Sequence, residues 1–135
     1  MLLSGLVLSG GNTEWKGKTL VSDYLGGLLT ADDISKLDLS GTELVVLSAC
    51  GTGQGEVTSE GVYGLQRAFK MAGVKHIVMT LWQVNDFVSK EFMKEFYGNL
   101  IYRGLTPDYA LLETKRSIRD KYHDPYYWAG YVLLD

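Results

Sequence analysis

The feature that most constrains the fold of this 135-residue chain is an unbroken aliphatic run, Leu44–Leu47, which leads directly into Ser48-Ala49-Cys50. An unbroken run, rather than an alternating one, is typical of a strand that is covered on both faces in a parallel sheet. Apolar residues at helical spacing follow, and they end at Gly73. The pattern predicts an α/β fold in which Cys50 lies at the carboxyl end of a central parallel strand.

Apolar spacing and turn residues predict the other elements. Thr30-Ala31-Asp32-Asp33 resembles a capping box that starts a short helix, and Thr106-Pro107-Asp108 starts the last helix. The full prediction places strands at 4–9, 44–47, 76–82 and 127–134, helices at 30–37, 59–72, 86–102 and 107–122, and a loop over about 12–29. This order predicts one α/β domain, or part of one, with a mainly parallel sheet flanked by helices.

Composition excludes several classes of protein. The 13 Lys and Arg residues against 16 Asp and Glu residues give a net charge of −3, without a basic stripe, so nucleic acid is not an expected partner. No apolar run approaches the ~18 residues of a membrane span and no leader peptide is visible, which favours a cytoplasmic protein. One cysteine and two histidines allow no internal disulfide and argue against a metal site, and no cofactor is expected.

Two glycine-rich segments resemble nucleotide-binding loops without matching them. Gly17-Lys18-Thr19 lacks the glycine that a phosphate-binding loop has five residues earlier. Gly51-Thr52-Gly53-Gln54-Gly55 lacks the third glycine of a dinucleotide fingerprint, because Glu56 stands in its place. Nucleotide binding at residues 51–55 stays an alternative that a thermal-shift assay with ATP and NAD would test.

Cys50 has two interpretations. A lone cysteine is more often a small buried apolar residue than a nucleophile. However, the carboxyl end of a parallel strand is where α/β sheets bind ligands, and Gly51 begins a loop that lets a substrate backbone approach closely. The position therefore suits a nucleophile.

A cysteine nucleophile requires a base, and the chain offers two histidines. If the strand that begins with His76 runs parallel to the Cys50 strand, six residues separate His76 from the edge that carries Cys50. At about 3.3 Å per residue, His76 is then about 20 Å from Cys50, at the opposite edge of the sheet. His123 reaches the Cys50 edge only if the last strand is antiparallel. Its alternative interpretation is a loop histidine beside Asp124-Pro125.

Five ordered motifs together resemble the CHAT domain, a caspase-like domain that is often attached to tetratricopeptide repeats and is similar to separase. They run from one end of the chain to the other: Leu29-Thr30-Ala31 with Leu37-Asp38-Leu39, Leu44 to Gly53, Glu60-Gly61 with Ala72-Gly73, Leu81-Trp82-Gln83-Val84-Asn85-Asp86, and Pro125-Tyr126-Tyr127-Trp128-Ala129. The resemblance implies a three-layer α/β sandwich and a cysteine endopeptidase. It implies that Cys50 is the nucleophile and that its backbone N–H contributes to the oxyanion hole.

The resemblance also implies a substrate-binding role for Asp86. This residue matches the separase position whose carboxylate receives a basic P1 side chain, which implies cleavage after Arg or Lys. The alternative interpretation is a carboxylate that stabilises the amino-terminal end of the following helix.

One part of the family pattern has no match. The catalytic histidine of the family lies in a His-Gly strand upstream of the segment that matches residues 4–11, so the chain resembles the carboxyl-terminal part of a CHAT domain. We expect this chain alone to have no appreciable peptidase activity. The strand at 4–9 is expected to offer an open edge for self-association. A non-catalytic scaffold or regulatory interaction module is the alternative function.

Overall fold

The computed structural model describes residues 5–8, 27–47 and 59–135. Their contacts form two compact units, one within residues 1–42 and 55–75 and the other within residues 43–54 and 76–135. Helices and strands are mixed, which confirms the predicted α/β class. No helix in the described part of the chain is long and apolar enough to cross a membrane.

The first unit contains a pair of short strands and two helices. Strand β1 (Gly5–Val7) pairs antiparallel with β2 (Leu28–Thr30), and helices α1 (Ala31–Ser35) and α2 (Ser59–Met71) follow. Thr30 and Asp33 form the predicted capping box, and the hydrogen bonds from Thr30 lower the pKa of the Asp33 carboxyl. Helix α2 is followed by Gly73 at φ 98°, a conformation that favours glycine. Strand β2 covers the end of the predicted loop and the first residue of the predicted helix, and is a correction to both.

The second unit is built on a three-stranded sheet in the order β3-β4-β5. These strands are β3 (Leu44–Leu47), β4 (His76–Thr80) and β5 (Tyr131–Leu134), and the helices of the unit are α3 (Asp86–Ile101) and α4 (Pro107–Lys121). A 3-10 helix at Pro125–Tyr127 precedes β5. Strand β3 is parallel to β4, with Leu44 opposite His76, and β5 is antiparallel to β4, with Tyr131 opposite Thr80.

Two predictions about the sheet differ from the structure. Of the three strand pairs in the described residues, only β3–β4 is parallel, so a mainly parallel sheet is not seen. Strand β4 lies between β3 and β5 and is the buried strand, whereas β3 is only half-buried. The reversal of β5 follows from the two helices before it. Consecutive helices with a short connection pack antiparallel, so the chain returns to the edge of the sheet that it left after β4.

Apolar side chains of α3 and α4 form the core against β4 and β5. Phe92, Phe96, Ile118 and Tyr131 are almost fully buried, and the rings of Phe92 and Tyr131 stack with centroids 3.6 Å apart. The Tyr131 hydroxyl donates to Ser89 Oγ at 3.0 Å, and burial raises its pKa. In the sequence, Val88, Phe92 and Phe96 follow one another at intervals of four residues, as expected for one face of a helix, and all three are buried on this face of α3.

Polar contacts also join α3 to α4. The buried Asn99 donates through Nδ2 to Thr114 Oγ1 at 3.0 Å, and Thr114 donates to the Ala110 carbonyl at 2.8 Å. Near the other end, Glu91 accepts a hydrogen bond from the Tyr122 hydroxyl at 2.8 Å and pairs with Lys121. These two donors lower the pKa of the Glu91 carboxyl, with the Lys121 ammonium as the larger cause.

Candidate functional site

The candidate site is assembled at the carboxyl ends of β3 and β4. The parallel register sets Leu47 of β3 opposite Met79 of β4, so both strands end at the same edge. Cys50 follows Leu47 by three residues in the sequence. The predicted site residues Cys50 and Gly51, and the whole glycine-rich loop at 51–55, lie outside the described residues.

Asp86 begins α3, but it does not cap that helix. The cap is Asn85, whose Oδ1 accepts from the backbone N–H groups of Phe87 at 3.0 Å and Val88 at 3.4 Å. Asp86 is exposed, and its carboxylate has no hydrogen bond or ion pair with any other residue that the structure describes. In the first turn of the helix, the negative charge of Asp86 still interacts favourably with the helix dipole. The carboxylate nevertheless stays open to a ligand, because the amide of Asn85 does the capping.

An open cavity of about 320 Å³ lies beside this carboxylate. It is lined by residues from two separate segments, most of them polar or aromatic: Gln83, Val84, Asn85, Asp86, Tyr126 and Tyr127. The rings of Tyr126 and Tyr127 meet almost at right angles, at 78°, with centroids 5.5 Å apart. A carboxylate beside aromatic faces is suited to a cation, because the carboxylate supplies charge and the rings supply a negative π-face.

Tyr126 is held in this cavity by three hydrogen bonds. Its backbone N–H donates to Asp124 Oδ1 at 2.9 Å, its carbonyl accepts from the Trp82 indole at 2.9 Å, and its hydroxyl donates to the Gln83 carbonyl at 2.5 Å. Two of these bonds cross more than forty residues of sequence. They fix the segment before β5 against the segment after β4.

Gly130 allows this fixation. A Cβ added at Gly130 would lie 2.7 Å from Cε2 of the Trp82 indole, closer than any ordinary contact. The Leu81 N–H also donates to the Gly130 carbonyl at 2.9 Å, which continues the β4–β5 ladder by one residue. Only glycine leaves room for the indole that holds Tyr126.

The strand directions determine where the two histidines lie. His76 starts β4 at the opposite edge of the sheet, as predicted, and its Nδ1 lies 2.6 Å from Asp135 Oδ1. His123 is exposed between α4 and the 3-10 helix and has no hydrogen bond or ion pair within the described ranges. His123 could reach the Cys50 edge only if the last strand were antiparallel, and β5 is antiparallel to β4. Its role as a base stays a prediction.

Tyr126 and Tyr127 are the site residues that the sequence did not assign. Both belong to the Pro125-Tyr126-Tyr127-Trp128-Ala129 motif, but nothing in their spacing connects them to Asp86. A usable signal was the aromatic run Tyr126-Tyr127-Trp128, which shortly precedes Gly130 and the last strand. No group of three or more metal-ligating side chains occurs within residues 5–8, 27–47 and 59–135.

The sequence pattern of the CHAT domain family matches residues 1–134. The mouse (Mus musculus) protein named tetratricopeptide repeat protein 28 is 38% identical over 109 residues, and the human (Homo sapiens) protein of that name is 37% identical over 109 residues. The alignments cover 79% of this chain and 4% of each relative, so the chain spans a small part of the curated relatives' length.

Proposed function

The chain belongs to the CHAT domain family, and from that premise we propose that it forms part of a cysteine endopeptidase domain that cleaves proteins after a basic residue. The observation that carries the proposal is the open carboxylate of Asp86 beside Tyr126, at the edge where β3 and β4 end. A cationic side chain fits that cavity. The peptide that carries this side chain would run along the edge where β3 and β4 end, and Cys50 follows β3 in the sequence.

The proposed reaction starts at the Cys50 thiol. A histidine from outside these residues removes the thiol proton, and the thiolate attacks the scissile carbonyl carbon. The Cys50 backbone N–H donates to the oxyanion of the tetrahedral intermediate. The histidinium then protonates the leaving amine as the C–N bond breaks, and water hydrolyses the thioester. Gly51 lets the substrate backbone approach closely, and His123 is the base within this chain that the test below addresses.

Asp86 is proposed to bind the P1 side chain. A carboxylate accepts two N–H groups of a guanidinium side by side, or one N–H group of an ammonium. Helix capping leaves this carboxylate open, as Asn85 provides the cap. A cytoplasmic location is part of the proposal, because a reducing compartment keeps the single cysteine as a thiol.

Covalent labelling tests the proposal. An electrophilic peptide with P1 Arg is incubated with this chain and with a chain extended upstream of Met1, and the intact mass is measured for each protein and for its Cys50→Ala variant. Labelling of the extended chain alone, lost in the variant, is the expected result and assigns the base to upstream residues. Labelling of the short chain, lost in a His123→Ala variant, would assign the base to His123. Absence of labelling in both chains would overturn the peptidase proposal.

A non-catalytic interaction module is the second candidate function. Apolar side chains at the end of α3 support it, because Ile101 and Tyr102 are 70% and 89% exposed. The names of the relatives suggest tetratricopeptide repeats in the same protein as a partner, and a second copy of the chain is the other candidate. An Ile101→Glu variant that abolishes a complex seen by light scattering, in a protein that does not label, would favour this function.

A further inference from the structure

We infer that Tyr126 is the specificity-determining residue of the Asp86 cavity and that its ring selects arginine over lysine. The inference rests on the proposed function and concerns the ligand of the same cavity. It is carried by one juxtaposition: the half-exposed ring of Tyr126, a residue held by two backbone hydrogen bonds and one hydroxyl hydrogen bond, lies in the same cavity as a carboxylate that no described residue pairs with.

The carboxylate alone discriminates weakly between the two basic side chains. Asp86 is exposed and the cavity is open, so either cation keeps part of its water while it contacts the carboxylate. A lysine ammonium is compact and strongly hydrated, and it gains little from leaving that water. Charge therefore explains a preference for basic side chains, but it does not explain a choice between them.

The aromatic ring supplies the difference. A guanidinium is planar and weakly hydrated, and it stacks flat on an aromatic face while its edge contacts a carboxylate. Tyr126 is 46% exposed, so part of its surface is accessible to a ligand. The Tyr127 ring packs nearly perpendicular to the Tyr126 ring and is half-buried against the core, so Tyr126 is the more accessible of the two rings. An arginine side chain gains both contacts, whereas a lysine gains mainly the charge.

The ring of Tyr126 can be removed while the backbone hydrogen bonds of this residue are retained. Two of the three hydrogen bonds that hold Tyr126 use its backbone N–H and carbonyl, and an alanine retains both. Tyr126→Ala therefore removes the ring and leaves the segment anchored to Asp124 and Trp82. Tyr126→Phe keeps the ring and removes only the hydroxyl bond to the Gln83 carbonyl. The two variants separate the contribution of the ring from that of its third anchor.

The first test compares the rates at which matched peptides label Cys50. Peptides that differ only at P1, with Arg, Lys or norleucine, are used on the extended chain. We expect an Arg preference over Lys that falls about two- to fivefold in Tyr126→Ala, with little change in the Lys and norleucine rates, and a smaller fall in Tyr126→Phe. Tyr109→Ala on α4, where the tyrosine is 60% exposed, is the matched control and should leave the ratio unchanged. An unchanged ratio in Tyr126→Ala would overturn the inference while the peptidase proposal stands.

The second test needs no catalysis. Agmatine and cadaverine, which carry the arginine and lysine head groups, are titrated into the extended chain while the indole N–H signal of Trp82 is followed by NMR. That N–H donates to the Tyr126 carbonyl and reports on the cavity. We expect tighter binding of agmatine, weakened about two- to fivefold by Tyr126→Ala. Equal affinities, or a loss that is the same for both amines, would overturn the inference even in a protein whose cysteine does not react.

Discussion

The three-stranded sheet has a carboxylate near each end of β4, and the two carboxylates differ in whether they have a partner. At the amino end of β4, Asp135 pairs with His76, and both side chains have a partner. At the carboxyl end, Asp86 lines an open cavity and no described residue pairs with it. A paired surface carboxylate contributes to the fold at most weakly, whereas an unpaired one that faces a cavity is available to a ligand. The comparison supports the proposal that the site lies at the carboxyl edge.

Removal of each carboxylate in turn should produce the largest contrast. Asp86→Ala should lower the preference for a basic P1 residue over norleucine about ten- to hundredfold, because a charge-assisted hydrogen bond is lost. Cys50 should still react with a general alkylating reagent. Asp135→Ala is the matched control at the other edge and should leave P1 preference unchanged. Rates of Cys50 labelling measure both, and equal effects from the two variants would break the comparison.

The carboxyl edge should also be sensitive to a single methyl group. Gly130→Ala places a Cβ against the Trp82 indole, and we expect a loss of about 1–3 kcal/mol in the free energy of unfolding. Gly98→Ala on α3 is the control, because a Cβ there meets nothing within 4 Å, and it should stabilise the protein by about 0.5–1 kcal/mol. Urea denaturation measures both changes. A Gly130→Ala protein as stable as wild type would show that the indole moves without cost.

The ion pair of Glu91 with Lys121 should make the stability of the protein depend on pH. Its carboxyl pKa lies below the ordinary value of 4.5, chiefly because Lys121 donates to it, so its ionised form stabilises the folded state. A lowered folded-state pKa gives stability that is complete above the ordinary value and is lost as pH falls through the lowered value. Glu91→Gln should therefore be less stable than wild type at pH 7, with a difference that shrinks at acidic pH. Urea denaturation at both pH values measures it, and a difference that grows on acidification would contradict the assignment.

The smallest effect is expected from the amino edge. Asp135→Asn should change the free energy of unfolding by less than about 1 kcal/mol, because the Asp135 side chain is 73% exposed and its pair with His76 is screened by water. Thermal unfolding in low and high salt measures this. A larger loss would mean that the amino edge depends on its ion pair, and the contrast with Asp86 would then be one of stability against specificity.

Local patterns predicted most of the elements because their causes are local. The aliphatic run of β3, the four-residue spacing of α3 and the Thr30–Asp33 capping box each depend on residues close together in the chain. Strand β2 was missed because three residues carry too little alternation, and its pairing with β1 is decided at long range. The last strand starts later than predicted, because Asp124 and Pro125 form a 3-10 turn first.

The candidate site was only partly predictable for the same reason. Asp86 was assigned because it stands in a motif of the family that the chain resembles. The position of Tyr126 depends on its hydrogen bonds with Trp82 and Gln83, about forty positions earlier, and no spacing rule covers such contacts. The resemblance to the CHAT domain is confirmed by the family match, whereas the roles of Cys50, Gly51, Asp86 and His123 stay predictions.

The three anchors of Tyr126 have a thermodynamic consequence for recognition. Two backbone hydrogen bonds fix the residue and the hydroxyl bond to the Gln83 carbonyl restrains its ring, so a ligand that stacks on the ring has less side-chain freedom to remove. Conformational entropy is thus lost during folding rather than during binding. A ring that is ordered in advance changes encounter rates little, so its contribution is expected in the residence time of the bound arginine.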